Sequence, residues 1–296
     1  MDTMKERQKV EENFQLKVCF RHFYDKAKKF YNAHLIISLI IPVVAVIARI
    51  AKFEYRDAIL SLSSCWIIIA MLLTIWEQKL RLKAVILQEK YDINVFGLKE
   101  NKTLMSKGIN IDEITIIVRK MQCGRGIDKI YYDGIECSND IKAMLLAQRQ
   151  NVVSDRFLRE KYCFMYKLLL IAIVVMIILI GVILNQTVKE LLIETLIPLI
   201  SLISFVIQQI RKLVEEIKRN EQIGELIDST INEYNNSKGE SREGYLIKCR
   251  EFQNYIFTRR LNAALIPNFI YHIFKRLYID NKKNNQTITS EARDVS

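Results

Sequence analysis

Four long stretches of this chain carry almost no charge, and they fall into two close pairs on either side of a large basic segment. Tyr31–Ala48, Ala58–Trp76 and Leu168–Val188 contain no Asp, Glu, Lys or Arg, and Leu191–Ile210 contains only Glu194. Each is 18 to 21 residues long. About 20 apolar residues, rising 1.5 Å each as a helix, cover the roughly 30 Å hydrocarbon core of a bilayer. A helix satisfies its own backbone groups there, which a loop cannot do. The pattern predicts two membrane hairpins, 31–76 and 168–210. His34 and Pro42 make the first span the weakest of the four.

This partition lies behind a composition of 50% hydrophobic and 26% charged residues, neither a pure membrane bundle nor an ordinary soluble domain. The remaining segments read as an N-terminal helix (1–30), an insert (77–167), C-terminal helices (211–280) and a disordered tail (281–296). An even number of spans puts both termini and the insert on one side. Sixteen Lys/Arg between Arg21 and Arg219 flank the spans closely on that side, and four (Arg49, Lys52, Arg56, Lys189) lie in the turns. By the positive-inside rule that side is cytoplasmic. Tyr31, Trp76, Tyr162 and Tyr166 mark the inner face, since Tyr and Trp favour headgroup depth. No signal peptide is expected, the first span serving as the insertion signal.

The six cysteines form no C-x-x-C pair, and the three histidines have no metal-ligand spacing, so neither a disulfide framework nor a metal site is expected. A net charge of +11 suits contact with anionic lipid, or a polyanionic ligand.

The expected fold is mainly α. A four-helix transmembrane module continues as long helices into a mostly helical cytoplasmic domain with one or two short strands. Residues 4–31 read as one amphipathic helix. Asp92–Phe96 reads as a short extended piece stopped by Gly97, and Ile130–Tyr132 as a strand in a Gly-dense loop, Cys123–Gly134. Asn110 is placed to cap a helix over Ile111–Gln122. From Asn139 to Leu184 only Gly181 interrupts a helix about 69 Å long. Thr187-Val-Lys-Glu190 matches a capping box, in which Thr and Glu satisfy each other's backbone N–H groups. The fourth helix then runs to about Asn232 with a kink at Pro198. Two further helices are expected over Tyr245–Arg259 and Ile266–Tyr278.

Enzyme signatures are absent: there is no G-x-S-x-G elbow, P-loop, dinucleotide fingerprint or H-E-x-x-H. Glu194 reads either as the lining of an ion path, sharing a helix face with Pro198, or as an acid hydrated near the outer surface. Arg119, Arg125 and Tyr132, in and just before the Gly-dense loop, either offer phosphate donors and a stacking ring to a nucleotide or belong to an ordinary surface loop. Arg149, Arg156 and Arg159 stand at helical spacing, forming either a salt-bridged helix seam or the other wall of a ligand pocket. Should Arg149 and Arg156 belong to a seam, the pocket lies toward Arg259 and Arg260.

Short motifs arranged around the four spans complete the reading. They are Arg7-Gln8, Tyr24-x-x-Ala27-Lys28, Trp76-Glu77, Gln88-Glu89-x-x-Asp92-x-x-Val95-Phe96-Gly97-Leu98 and Tyr131-Tyr132. After these come Gln148-Arg149-x-Asn151-x-x-x-Asp155-x-x-Leu158-Arg159-x-x-Tyr162, Gln253-x-x-Ile256-Phe257-x-x-Arg260 and Ile266-Pro267. In this order they resemble the SMODS-associated four-transmembrane effector family of bacterial conflict systems, with Tyr131 standing where Trp would be expected. The resemblance implies an anti-phage effector encoded beside a cyclic-nucleotide synthase. Triggered by a cyclic oligonucleotide or dinucleotide, such an effector permeabilises the inner membrane and arrests the infected cell. It would act as a homo-oligomer in the lipid bilayer, without a cofactor and without binding a nucleic-acid polymer. An ordinary channel or transporter, or a membrane-embedded lipid enzyme, stands as the alternative.

Overall fold

The computed structural model describes residues 3–50, 56–105, 111–122, 131–132, 134–135, 139–236 and 241–280. The helices are α1 (Met4–Lys9), α2 (Glu11–Ile50), α3 (Arg56–Phe96), α4 (Ile111–Gln122) and α5 (Asp140–Ile183). They continue as α6 (Val188–Glu190), a π-helical turn (Leu191–Leu196), α7 (Ile197–Asn236) and α8 (Arg242–Asn262). A last helix, α9, covers 268–280.

Two antiparallel hairpins, α2 with α3 and α5 with α7, form the frame. Glu11–Ala48, Asp140–Ile183 and Val188–Asn236 are each long and apolar enough to cross a membrane. The second uncharged stretch, Ala58–Trp76, is helical within α3. At this end of the molecule large apolar side chains face outward: Ile36, Ile40, Ile68, Met71, Ile171, Ile178, Ile200 and Ile207 are all exposed. Water would penalise such a surface, and hydrocarbon does not. Gly181 permits the close approach of the second hairpin's turn, because a Cβ there would stand 3.0 Å from Leu191 Cδ1. The capping box at Thr187 and Glu190 forms as expected.

The π-helical turn has a covalent cause. Ile197 N–H donates to the Leu192 carbonyl, one residue further back than in an α-helix. Pro198 has no N–H, so the Ile193 carbonyl loses its next available helical donor.

At the other end α1, the first half of α2, the last half of α3, α4, the start of α5, the end of α7 and α8 enclose a core of Phe20, Phe23, Leu87, Tyr91, Met144, Leu145, Ile227 and Ile256. Three expectations are corrected. Residues 4–31 are not one helix: Val10, at φ −57° and ψ 134°, separates α1 from α2. Asp92–Phe96 is the last turn of α3 rather than an extended piece, because Asp92, Val95 and Phe96 are buried on one helix face. Gly97, at φ +70°, then ends the helix, and Leu98 N–H reaches the Ile93 carbonyl at 3.2 Å. Tyr131–Tyr132 is a bend, and no strand occurs among the described residues. The expected Asn110 cap, most of the Gly-dense loop and the tail lie outside the described residues.

Candidate ligand site

A cavity of about 680 Å3 opens in the helical domain where α2, α3, α5, α8 and α9 converge. Helical spacing explains how each element reaches it. On α2, Phe20, Tyr24 and Lys28 stand four residues apart, as do Arg21 and Asp25; on α5 so do Asn151, Asp155 and Arg159. Arg259 and Arg260 come from the end of α8, Tyr271 and Tyr278 from α9. Among the described residues five basic side chains (Arg21, Lys28, Arg159, Arg259, Arg260) face two lining acids, Asp25 and Asp155, while Glu216 and Asp92 pair with Arg159 and Arg260 from behind and leave a small positive excess. The balance favours an anion, and Tyr24, Tyr131, Tyr132, Tyr271 and Tyr278 supply ring faces.

The walls are fixed from behind by buried hydrogen bonds. Gln8, 1% exposed, accepts from the backbone N–H groups of Tyr131 (2.9 Å) and Tyr132 (2.8 Å) and from the Tyr91 hydroxyl (3.2 Å). Gln88 accepts from Tyr24 Oη at 2.9 Å and donates to Tyr131 Oη at 3.0 Å. Tyr132 Oη donates to Asp92 Oδ1 at 2.7 Å, and Arg260 Nη1 donates to Asp92 Oδ2 at 2.6 Å. Gln253 bridges Asp92 and Glu89 at 3.1 and 2.7 Å, and Arg250 closes on Glu89 at 2.6 Å.

Electrostatics follow from this packing. Burial lowers the Lys28 and Arg259 pKa values, each partly offset by an acid, Asp25 and Asp155 respectively. For Asp155 burial opposes ionisation, but Arg159 and Arg259 outweigh it and hold the carboxyl below the usual range. Burial likewise opposes the Arg260 charge, and Asp92 outweighs it. Arg260 Nη2 is buried without a hydrogen-bond partner, and so is Gln150 Oε1, on another wall of the same cavity. Leaving such atoms unpaired costs about 1–3 kcal/mol each, more for a charged group.

The strap between α8 and α9 connects this cavity to both hairpins. Arg81 on α3 donates to the carbonyls of Leu261 (3.2 Å) and Ala263 (2.8 Å). Arg159 on α5 donates to the Ala264 carbonyl at 3.2 Å, and Ala264 N–H donates to Glu216 on α7 at 3.0 Å. Ala263–Asn268 also line the cavity.

Of the six ligand residues expected from sequence, Tyr132 and Arg159 line the cavity. Arg149 and Arg156 face α7 instead, Arg149 pairing with Asp228 and Arg156 with Glu221. Arg119 is exposed on α4, and Arg125 lies outside the described residues. Arg21, Lys28, Tyr271 and Tyr278 were not among the six. Glu194 is half-buried in the π-helical turn, with Pro198 just after it.

Tyr24, Lys28, Gln88, Tyr131, Tyr132, Asn151, Asp155, Leu158, Arg159, Arg260, Ile266 and Pro267, all from the motifs that carry the family resemblance, line this one cavity. Gln8, Glu89, Asp92 and Gln253 support it. A family model described as the SMODS-associating 4TM effector domain matches residues 2–289. The chain belongs to this family. Membership makes it a membrane effector of an antiviral system. It is also similar to a probable CBASS effector molecule from Bacillus cereus (strain VD146), 26% identical over 277 residues, covering 90% of this chain and 92% of that protein. No solved structure matches.

Proposed function

We propose that this effector binds a cyclic oligonucleotide or dinucleotide in the α2–α5–α8–α9 cavity and responds by permeabilising the inner membrane, without catalysing a reaction. The observation that carries the reading is Arg260: a buried guanidinium with an unpartnered Nη2, lining a basic, tyrosine-rich cavity. Guanidinium groups suit phosphate, and tyrosine faces suit bases. About 680 Å3 falls within the range of small-molecule pockets. Asp155 is held ionised between two arginines, a state suited to positioning rather than to proton transfer.

Four spans with both termini and the insert in the cytoplasm place the cavity where a cytoplasmic nucleotide reaches it. The last residues of α8 and the start of the strap, 261–264, supply the coupling. A ligand that favours a second position of the strap would change the hydrogen bonds of Arg81, Arg159 and Glu216 together, and so bias both hairpins. One protomer encloses no aqueous path in this reading, so permeabilisation requires self-assembly.

The test uses the full chain in dye-loaded liposomes, titrated with cyclic di- and oligonucleotides, with binding measured in parallel. We expect a nucleotide-dependent dye release that Lys28→Ala and Tyr271→Ala weaken at least tenfold. Release that ignores every nucleotide, or binding unaffected by both substitutions, overturns the reading.

A further inference from the structure

A second cavity, of about 670 Å3, lies at the junction of the two hairpins. Its lining collects the ends of three uncharged stretches: Tyr31 and His34 begin the first, Leu73 and Thr74 end the second, and Gln209 ends the fourth. The start of the third is joined to it by hydroxyls, Tyr31 Oη lying 3.1 Å from Tyr162 Oη, and Tyr162 Oη 3.0 Å from Tyr166 Oη. Trp76 stacks on Phe30, another lining residue, with ring centroids 6.5 Å apart. Tyr and Trp gather at headgroup depth, so the cavity sits at the membrane–water boundary.

Its chemistry is divided in the same way as a phospholipid. Lys212, Gln78, Gln209 and Asn262 offer a cation and amide groups, while Phe30 and Leu73 offer apolar wall. Glu77, the one lining acid among the described residues, is engaged by Arg81, whose Nε and Nη2 both lie 2.6 Å from Glu77 Oε1. Lys212 also acts on Glu77, but more weakly than Arg81, and is the lining cation that has no ion pair of its own among the described residues. Beside Leu73, α3 continues along the membrane with Leu72, Ile69 and Ile68 exposed, an apolar track for an acyl chain.

We infer that this cavity is a binding site for an anionic glycerophospholipid, its phosphate at Lys212, its headgroup hydroxyls at the amides, and its chains against α3. The site is independent of the nucleotide cavity but shares the strap with it, since Leu261, Asn262 and Ala264 line this cavity and Ala264 lines both. Lipid bound here braces the strap from the membrane side.

The experiment uses the full chain carrying Trp66→Phe, which leaves Trp76 as the sole tryptophan of two. In mixed micelles, Trp76 fluorescence is titrated with phosphatidylglycerol or phosphatidylcholine brominated on the acyl chains. The expected result is saturable quenching with a preference for phosphatidylglycerol of roughly fivefold or more, the factor for about 1 kcal/mol of basic-residue attraction. Lys212→Glu should abolish that preference. Lys167→Glu, a cation outside the cavity at similar membrane depth, should retain it. Soluble glycerol phosphate should not displace the brominated lipid. Equal quenching by both lipids, or equal loss of preference in the two variants, overturns the inference. Displacement by glycerol phosphate overturns the lipid assignment. Nucleotide binding by the same preparations is read separately, so failure of one site does not obscure the other.

Discussion

Arg260 Nη1 lies 2.6 Å from Asp92 Oδ2, and the two side chains are 8% and 0% exposed. This ion pair ties the end of α8 to the last turn of α3 and leaves the other guanidinium nitrogen at the cavity without a partner. Removing one member of such a pair strands the other, at a cost of about 3–5 kcal/mol. Asp92→Ala and Arg260→Gln should each lower stability by that order, and the double variant should lose less than their sum. Tyr132→Phe, which removes only the hydroxyl donating to Asp92, should cost about 1.5–3 kcal/mol. Thermal unfolding of the detergent-purified protein measures all four. Additive losses would mean that the two side chains do not act as a pair.

Acids shifted in opposite directions predict a stability maximum below neutral pH. The Glu89 pKa is raised by burial and by Asp92, against the hydrogen bonds from Arg250 and Gln253. Its folded form holds a proton more tightly than the unfolded form, so stability increases as pH falls from neutral through that raised value. Asp155 is the reverse case. Burial is outweighed by Arg159 and Arg259, the folded pKa is depressed, and its contribution is complete above the unfolded value of about 3.9. That contribution is lost as pH falls toward the depressed value. Unfolding midpoints should therefore rise on mild acidification and drop below about pH 4. Glu89→Gln should flatten the neutral limb and Asp155→Asn the acid limb. A profile unchanged in both would remove these two carboxyls from the account.

The hairpins and helix ends were legible because they depend on local rules. Uncharged runs report the solvent around a helix, and the Thr187 capping box reports a single turn. The cavity was not legible as a whole, because five helices distant in sequence build it. Still, the face of α5 toward it was available in the numbering. Seven residues make nearly two turns, so Arg149 and Arg156 share a face, and Arg159 lies almost a quarter-turn away beside Asn151 and Asp155. Acids on α7 take the first pair, which no local pattern announces. The extended reading of Asp92–Phe96 failed because tertiary packing overrode the β-branched residues Ile93 and Val95.

Topology is testable without any ligand. The excess of Lys/Arg on the side of the termini and the insert predicts that Asn185→Cys and Lys52→Cys react with a membrane-impermeant thiol reagent in intact cells. Lys107→Cys should react only after permeabilisation. Cys19, Cys163 and Cys249 are buried, and Cys65, Cys123 and Cys137 are replaced by Ser in the background used for labelling. The reverse pattern would invert the orientation and put the α2–α5–α8–α9 cavity out of reach of the proposed cytoplasmic ligand.

The π-helical turn joins Glu194 to Pro198 in one device. Ile197 donates to Leu192, and Pro198 cannot donate, so the backbone beside Glu194 presents carbonyl oxygen that the helix itself does not use. A carboxylate and a spare carbonyl one residue apart form a surface that attracts cations. If α7 lines the assembled pore, Glu194→Gln should reduce cation preference in a bilayer conductance assay without altering expression. Pro198→Ala returns the missing N–H, lets the turn relax to an α-helix, and should change the probability of opening more than the selectivity. Ion preference unchanged in Glu194→Gln would place this acid outside the conducting path, as a group hydrated at the membrane surface.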